Sequence, residues 1–428
     1  MYIKQLPLFY DYLGIVNSSR FYKKYHALFS ALDLSQFKNF NLFVGCTGYS
    51  RHAILRALIV KHLQEIKSIP QLIEFFDAHP LLTEMCGFNI GRLPDSSVFY
   101  RFLKQTNNFS IKKIMTKTVQ ELIDKNAVSI DHFIIDSKPI KACTKENNLK
   151  FPQRNSFDKN KKPKRNHKAT LSYYSHQIVN DKKKNLFFWG YRTHVIISKE
   201  GIPLVEETLP NNISDAEVAK KLIKRLKRIF KFKKGSLFVA DKNYDVKELY
   251  NLIVKQMKSQ AFIPINPRNQ QLPKTLGAHG NPICDAGFEM KSWGTWTEQN
   301  RKRAKFRCPI KTDKKFALKF NNQCPINHCL FNENKQYGCT KYLDITNDPR
   351  SQVPRDSKYY KKIFKTRLSI ERYFARLGDR EVDQTTYFCY NSIKNQISIA
   401  HLSLALVALA AVNINAFDKI RCYKTFAA

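Results

Sequence analysis

Phe133-Ile134-Ile135-Asp136 and Leu237-Phe238-Val239-Ala240-Asp241 are two short apolar runs, each closed by an aspartate. Runs of this length, built from β-branched and aromatic side chains, fill buried strands. A carboxylate closing such a run is expected at the edge of a sheet. A third acid, Glu371, lies in Arg367-Leu368-Ser369-Ile370-Glu371-Arg372-Tyr373-Phe374. That segment reads as a helix, with Phe364, Arg367 and Glu371 sharing one face. Two strand-end aspartates and a helical glutamate offer hard oxygen ligands for two Mg²⁺ or Mn²⁺ ions. Such a pair, roughly 3.5–4 Å apart, activates an attacking oxygen and stabilises a leaving one at phosphorus.

Around these acids the chain is strongly basic. Its 73 Lys and Arg against 35 Asp and Glu give a formal charge of +38, which exceeds what solubility needs and points to a polyanion, nucleic acid first, as partner. With 428 residues and 43% hydrophobic content, real cores in two or three domains are expected; a basic protein that merely stays soluble, or a ribosomal component, is the bland alternative. The N-terminus lacks the charged and apolar regions of a signal peptide, so an intracellular, cytoplasmic location is expected. The apolar stretch from Ile397 to Ile414 carries Ser398, His401, Ser403 and Asn413 and reads as a buried helix, not a membrane span.

Residues 1–125 read as helical. Ala53 to Val60 is apolar, Ser68-Ile69-Pro70 is a helix start, and Asp95-Ser96-Ser97 caps a helix that puts Phe99, Phe102 and Leu103 on one face. A DNA-binding module and an ordinary helical bundle both fit. From 126 to 265 the pattern is mixed α/β. A basic loop, Thr144 to Thr170, is expected to be mobile without a ligand. Strands follow at Leu186–Ser198 and Ile202–Leu209, joined by Lys199-Glu200-Gly201. Ser214-Asp215-Ala216-Glu217 reads as a capping box opening an amphipathic helix, with Val218, Leu222, Ile223, Leu226 and Ile229 inward. Its outer face and the residues after it carry Lys220, Lys221, Lys224, Arg225, Lys227, Arg228, Lys231, Lys233 and Lys234, read as phosphate contacts. A helix from Asp245 to about Met257 and a strand at Ala261–Ile265 complete this part.

Residues 266–350 break the α/β order with Pro, Gly and five cysteines and read as an insertion domain; 351–428 return to the core with the Glu371 helix and an apolar helix from about Ser392 to Asn415. In the insertion, Cys308, Cys324, Cys329 and Cys339, with His328 and Cys284 nearby, are candidates for a structural Zn²⁺, against reduced, unliganded thiols. Trp293, Trp296 and Tyr337 are candidates for base stacking, against ordinary core packing. His194 is read as a core or surface histidine before a DNA or water contact. Asp131, on the opposite strand face from Asp136, reads as solvated; Asp215 reads as a first-turn helix charge and Asp245 as an N-cap, so none joins the metal site.

Asp136-Ser137-Lys138-Pro139-Ile140-Lys141-Ala142, Asp241-Lys242-Asn243-Tyr244-Asp245 and the Arg367/Glu371 helix resemble the catalytic segments of DDE transposases of bacterial insertion sequences, in the group marked by Tyr-(2)-Arg-(3)-Glu-(6)-Lys. The resemblance spans nearly the whole chain. It includes Met85-Cys86-Gly87-Phe88, Pro94 to Phe99, Gly190-Tyr191-Arg192-Thr193-His194 and Asn211 to Asp215. Arg367 and Glu371 fit the signature, whereas Phe364 stands at its tyrosine and Gly378 at its lysine. Tyr360 and either Arg376 or Arg380 are candidate substitutes.

The resemblance implies an α/β fold: an RNase H-like catalytic core with a helical N-terminal domain and an inserted loop- and β-rich, Cys-containing domain. It implies a bacterial, nucleoid-associated enzyme, at least dimeric on DNA, that binds terminal inverted repeats, cleaves them with metal-activated water and joins 3′ ends to target DNA. Asp136, Asp241 and Glu371 would hold two Mg²⁺ or Mn²⁺. Arg367, Lys138, Lys242, Tyr244, Arg192, Arg376 and Arg380 would contact DNA or phosphate. Two alternatives stay open: a nuclease without strand transfer, and an inactive DNA-binding repressor of transposase descent.

Overall fold

The computed structural model describes residues 12–40, 48–148, 162–179, 182–266, 275–333, 336–378 and 382–427. Before the first strand the described chain forms α1 (Tyr12–Ser18), α2 (Arg20–Ala31), α3 (Arg51–Leu63), α4 (Ile69–Ala78), α5 (Pro80–Cys86), α6 (Ser96–Gln105) and α7 (Asn108–Asp124). The sequence explains several of these boundaries. Ser68 caps α4 by accepting from the Gln71 amide, with Pro70 in the first turn, and Asp95 caps α6 by accepting from the Ser97 amide at 2.8 Å. Phe99, Phe102 and Leu103 are buried, as their spacing predicts.

A six-stranded mixed sheet follows. Its strands are β1 (His132–Lys141), β2 (Thr170–Val179), β3 (Lys182–Ser198), β4 (Pro203–Pro210), β5 (Leu237–Ala240) and β6 (Gln260–Phe262). β3 is long enough to pair with β2 along its first half and to run between β1 and β4 along its second, all antiparallel. β1 then pairs parallel with β5, and β5 with β6. The turn between β3 and β4 is closed by the Gly201 amide on the Ser198 carbonyl at 2.9 Å, with Gly201 at φ +80°, where glycine carries no steric penalty. Gly190 is required for a different reason: a Cβ there would lie 2.1 Å from the Ile140 carbonyl oxygen of β1.

Helix α8 (Asp215–Phe230) covers the sheet with Val218, Leu222, Ile223 and Leu226 buried, and Ile229 is partly buried. Its expected capping box does not form: Ser214 makes no side-chain cap bond, and Glu217 pairs with Lys220 instead. After β5 come the short α9 (Lys247–Tyr250) and a π-helical turn, Asn251–Gln256, in place of one regular helix.

Between β6 and the C-terminal helices, the chain builds a separate three-stranded antiparallel sheet from β7 (Lys291–Glu298), β8 (Arg301–Arg307) and β9 (Thr340–Asp344). The short helices α10 (Pro309–Thr312), α11 (Lys314–Leu318) and α12 (Cys329–Glu333) sit between β8 and β9. Two small apolar clusters support this segment.

The chain ends with α13 (Lys358–Phe364), α14 (Leu368–Leu377) and α15 (Tyr390–Asn413). Although α15 is long and apolar enough to cross a membrane, its apolar window is entirely buried within the protein, where it packs on α2, α3, α6, α7 and β4. One continuous core therefore runs from Tyr25 through the sheet to Phe426. Polar side chains on α15 are satisfied across it: Asn395 donates to the Leu103 and Thr106 carbonyls, both at 2.8 Å, and accepts from Asn108 at 3.0 Å.

Candidate active site

Parallel pairing of β1 with β5 places Ile135 opposite Ala240, so Asp136 and Asp241 are the next residues on adjacent strands. The two differ in setting. β1 does not stop at Asp136 but continues to Lys141, because β3 pairs with it along its whole length; Asp136 is mid-strand, at the level where its parallel neighbour ends. Asp241 leaves β5 as the cap of a 3₁₀ turn, Lys242–Tyr244, its carboxylate accepting from the Lys242 amide.

Glu371 sits in the first turn of α14. The helix expected to carry Phe364, Arg367 and Glu371 on one face is interrupted by a 3₁₀ turn, Lys365–Arg367, and splits into α13 and α14. The break leaves Arg367 at the start of α14, beside β1. Its guanidinium forks: Nη2 donates to Asp136 Oδ2 at 3.0 Å and Nη1 to Glu371 Oε1 at 2.7 Å. Asp136, Asp241 and Glu371 all stabilise the charged guanidinium and raise its pKa against the opposing effect of burial. Two carboxylates thus bind one cation, and a third acts on it electrostatically.

Desolvation pushes the Asp136 carboxyl up to about 6; the Ser137 amide and the Arg367 charge oppose this, while Asp241 and Asp215 add to it. Asp215, whose reading as a first-turn charge holds, has a second role that sequence spacing does not reveal. It accepts from Ser137 Oγ at 3.0 Å and from Arg192 Nη1 at 2.9 Å, directly behind Asp136. Tyr244 closes the same wall; it is buried, and desolvation followed by the Asp136 and Asp215 charges raises its phenol pKa well above normal. His194 is buried too, 3.5 Å from Asp215, and burial lowers its pKa to about 4.

The other sequence candidates are dispersed. Lys242 is exposed next to Asp241. Lys138 reaches the end of α14, where Nζ pairs with Asp383 at 2.8 Å and donates to the Phe374 carbonyl at 3.2 Å. That ammonium is 3.1 Å from where a Cβ on Gly378 would be. Arg376 turns to the β3–β4 hairpin and donates to the Gly201 carbonyl at 2.9 Å. Arg380 lies outside the described residues, as do residues 149–161 of the basic loop. Tyr360 is buried and stacks on Phe364, with ring centroids 5.7 Å apart.

Asp131 is exposed, as expected. Asp245 is not an N-cap: Val246 occupies that position, and Asp245 is a buried partner of the Arg350 guanidinium and the Asn266 amide. On α8, Lys221, Lys224 and Arg228 are exposed, while Lys220 and Arg225 turn to Glu217 and Glu207. Trp293 and Tyr337 clasp Arg307, with its guanidinium carbon 3.5 and 3.6 Å from their ring centroids. Trp296 meets Tyr342 edge-on. Cys329 is exposed beside His328, whereas Cys308, Cys324 and Cys339 share one apolar cluster. As placed, no three His, Cys, Asp or Glu side chains among the described residues are gathered closely enough to hold a metal ion.

The α/β fold thus sets two aspartates side by side where the β1–β5 pairing ends and links Glu371 of α14 to the first of them through Arg367. Comparison with known families makes the assignment specific. The family model described as Transposase DDE domain matches residues 128–406, and one described as a transposase domain matches residues 14–105. The chain belongs to the transposase DDE domain family. No curated protein matches it. Among solved structures, the piggyBac transposase synaptic complex with hairpin DNA aligns at 10% identity over 98% of this chain and 79% of that chain, with a TM-score of 0.37.

Proposed function

We propose that this protein is an insertion-sequence transposase that binds the ends of its element, cleaves them and transfers the 3′ ends to target DNA. Asp136, Asp241 and Glu371 are the metal-binding acids. The observation that carries this reading is the position of Arg367, a cation held between Asp136 and Glu371 and within the field of Asp241. The guanidinium stands in for bound cations: the donor set is all oxygen and anionic, suited to Mg²⁺ or Mn²⁺. Bound there, two such ions would activate the attacking oxygen and stabilise the departing one.

The chain's own groups do the rest. Asp241 and Asp136, on adjacent parallel strands, fix one side of the cation site, and Glu371 closes it from α14. Asp215, Ser137, Arg192 and Tyr244 back Asp136 and limit its movement. Arg367 is placed to move from carboxylate to phosphate once cations neutralise the acids. The exposed lysines of α8 hold the DNA backbone, and the N-terminal helices are assigned to element-end binding. Because two ends must be joined, a dimer on DNA is part of this reading.

The mixed sheet, with one acid on its central β1 and the next at the end of parallel β5, supports an RNase H-like core interrupted by the β7–β9 segment. In this reading Lys138, whose ammonium lies beside Gly378 and pairs with Asp383, takes over the phosphate contact that the signature lysine would make.

The test uses Asp241→Ala with DNA carrying the element's terminal repeats. Loss of Mg²⁺-dependent nicking and strand transfer, with DNA affinity kept within about threefold, is expected. Cleavage that survives the substitution would refute the assignment. Nicking without strand transfer by the unaltered protein would mark it as a nuclease, and DNA binding with neither step as an inert binder.

A further inference from the structure

Among its described residues, the segment between β6 and α13 is poorly supplied with core. Its two clusters contain five buried side chains (Cys308, Ile310, Ala317, Cys324, Phe331) and four (Met290, Ala304, Phe306, Ile345). Units this thinly packed usually need a staple. Four thiols lie where the clusters meet. Cys308 and Cys324 are buried in the first, Cys284 packs against the second, and Cys339 packs against both.

Several features bring these thiols together. Cys308 and Cys339 extend the β8–β9 pairing beyond Arg307 and Thr340, with the Cys308 amide on the Cys339 carbonyl at 2.9 Å. Gly338, at φ +57°, turns the chain into Cys339 so closely that a Cβ on it would be 3.0 Å from Cys308 Cβ. Cys284 and Cys324 each begin a tight turn: the Gly287 amide returns to the Cys284 carbonyl at 2.9 Å and the Asn327 amide to the Cys324 carbonyl at 3.0 Å. The returning residue is left-handed in both, at φ +80° and +44°. The amides of Lys311 and Ile310 face the Cys308 sulfur. Cys308, Cys324 and Cys284 all lie within electrostatic reach of Cys339.

We propose that Cys284, Cys308, Cys324 and Cys339 form a four-thiolate structural zinc site joining the two small cores. This set replaces Cys329 with Cys284. Cys329 is exposed, and its neighbour His328 is committed to Asp285, with Nε2 3.2 Å from Oδ2. Binding releases the four thiol protons to solvent and leaves a net charge of about −2 on the site. Lys341, bonded to the Ile283 carbonyl and to Asp285, lies alongside Cys284 to offset that charge. Among the described residues no three such side chains stand close enough to hold a metal, so binding requires the four thiols to close on the ion and the β7–β9 segment to tighten with it.

The experiment uses the full-length protein without DNA, so its result is separate from that of the transposition tests. Zinc is measured by elemental mass spectrometry after purification without chelator, and Co²⁺ is then substituted for it. About one zinc per chain and the intense visible absorption of tetrahedral Co²⁺ bound by sulfur are expected. Cys284→Ser and Cys339→Ser should each lose at least ~10-fold in zinc affinity, while Cys329→Ser and Cys422→Ser retain it. Where a Cys→Ser chain misfolds, the sulfur-to-Co²⁺ charge-transfer intensity of the unaltered protein independently counts the thiolates. The proposal is overturned if the unaltered protein holds no zinc and gives no thiolate spectrum with Co²⁺, or if Cys329→Ser loses the metal while Cys284→Ser keeps it.

Discussion

Arg367 Nη2 lies 3.0 Å from Asp136 Oδ2, across 231 residues of sequence, while the same guanidinium holds Glu371 through Nη1. An internal cation therefore competes with any metal ion for these acids. Arg367→Ala should raise Mn²⁺ affinity in the absence of DNA by roughly tenfold, since a charge-assisted bond to each of two carboxylates is lost from the metal-free state. Calorimetric titration of Mn²⁺ into the two proteins reads this directly. Equal or weaker binding by the variant would show that the guanidinium does not compete. On the proposed function, cleavage should also fall in the same variant, because that reading gives Arg367 a phosphate contact.

Lys138 and Gly378 make a second pair that sequence distance hides. Lys138→Ala should weaken DNA-end binding roughly tenfold, the loss of one charged hydrogen bond. Gly378→Lys in that background should recover much of it. Gly378 has ordinary helical angles, φ −62° and ψ −41°, and with Lys138 truncated the remaining close neighbours of its new Cβ are the Asp383 carboxylate oxygens at 3.3 Å. Equilibrium binding of the two variants to the same duplex decides the matter. If the second substitution brings no recovery, Lys138 does not do the signature lysine's work.

What was legible in the sequence follows the range of the interaction. Ser68 and Asp95 cap their helices and Gly201 turns its hairpin through contacts within three residues, so local chemistry announces them. The two apolar runs before Asp136 and Asp241 likewise identified β1 and β5. Distant partners decide the rest. β1 continues past Asp136 because β3 pairs with it, and Asp245 is buried because Arg350, 105 residues later, neutralises it. The Asp215 network behind the site depends on Arg192 and Ser137 meeting across strands, which no spacing rule predicts.

The support beneath α14 should make the protein acid-sensitive. His401 on α15 is fully buried, bonded to Tyr373 of α14 and 3.0 Å from Thr193 Oγ1 of β3. Burial lowers its pKa from 6.5 to about 4; Glu206 opposes the shift and Lys112 assists it. Between those values the native state binds fewer protons than the unfolded chain. Stability contributed by the neutral ring is therefore full above pH ~6.5 and disappears as pH falls towards ~4, by about 3 kcal/mol. His194 adds in the same direction. Urea midpoints at pH 7.5 and pH 5 should fall in that order, and His401→Gln should narrow the gap. A midpoint that does not change with pH would contradict the assignment.

Lys112 joins the N-terminal helices to the sheet. Its buried ammonium is 2.8 Å from Glu207 and 3.5 Å from Glu206 on β4, and Ser398 of α15 donates to Glu206 at 2.7 Å. Glu206 is 1% exposed, so removing its cation leaves a charge with little access to water. Lys112→Ala should cost about 3–5 kcal/mol, whereas the paired change Lys112→Met with Glu206→Gln, which removes both charges, should cost far less. The shape of the transition is as informative as its midpoint. With one core running from Tyr25 to Phe426, loss at α7 should destabilise helices and sheet together, and tryptophan fluorescence and far-ultraviolet circular dichroism should report one coincident unfolding step. Trp189, on the buried face of β3, reports the sheet in that experiment. An early helical step that leaves its emission unchanged would mean that residues before β1 fold as a module of their own, coupled to the sheet only weakly through Lys112.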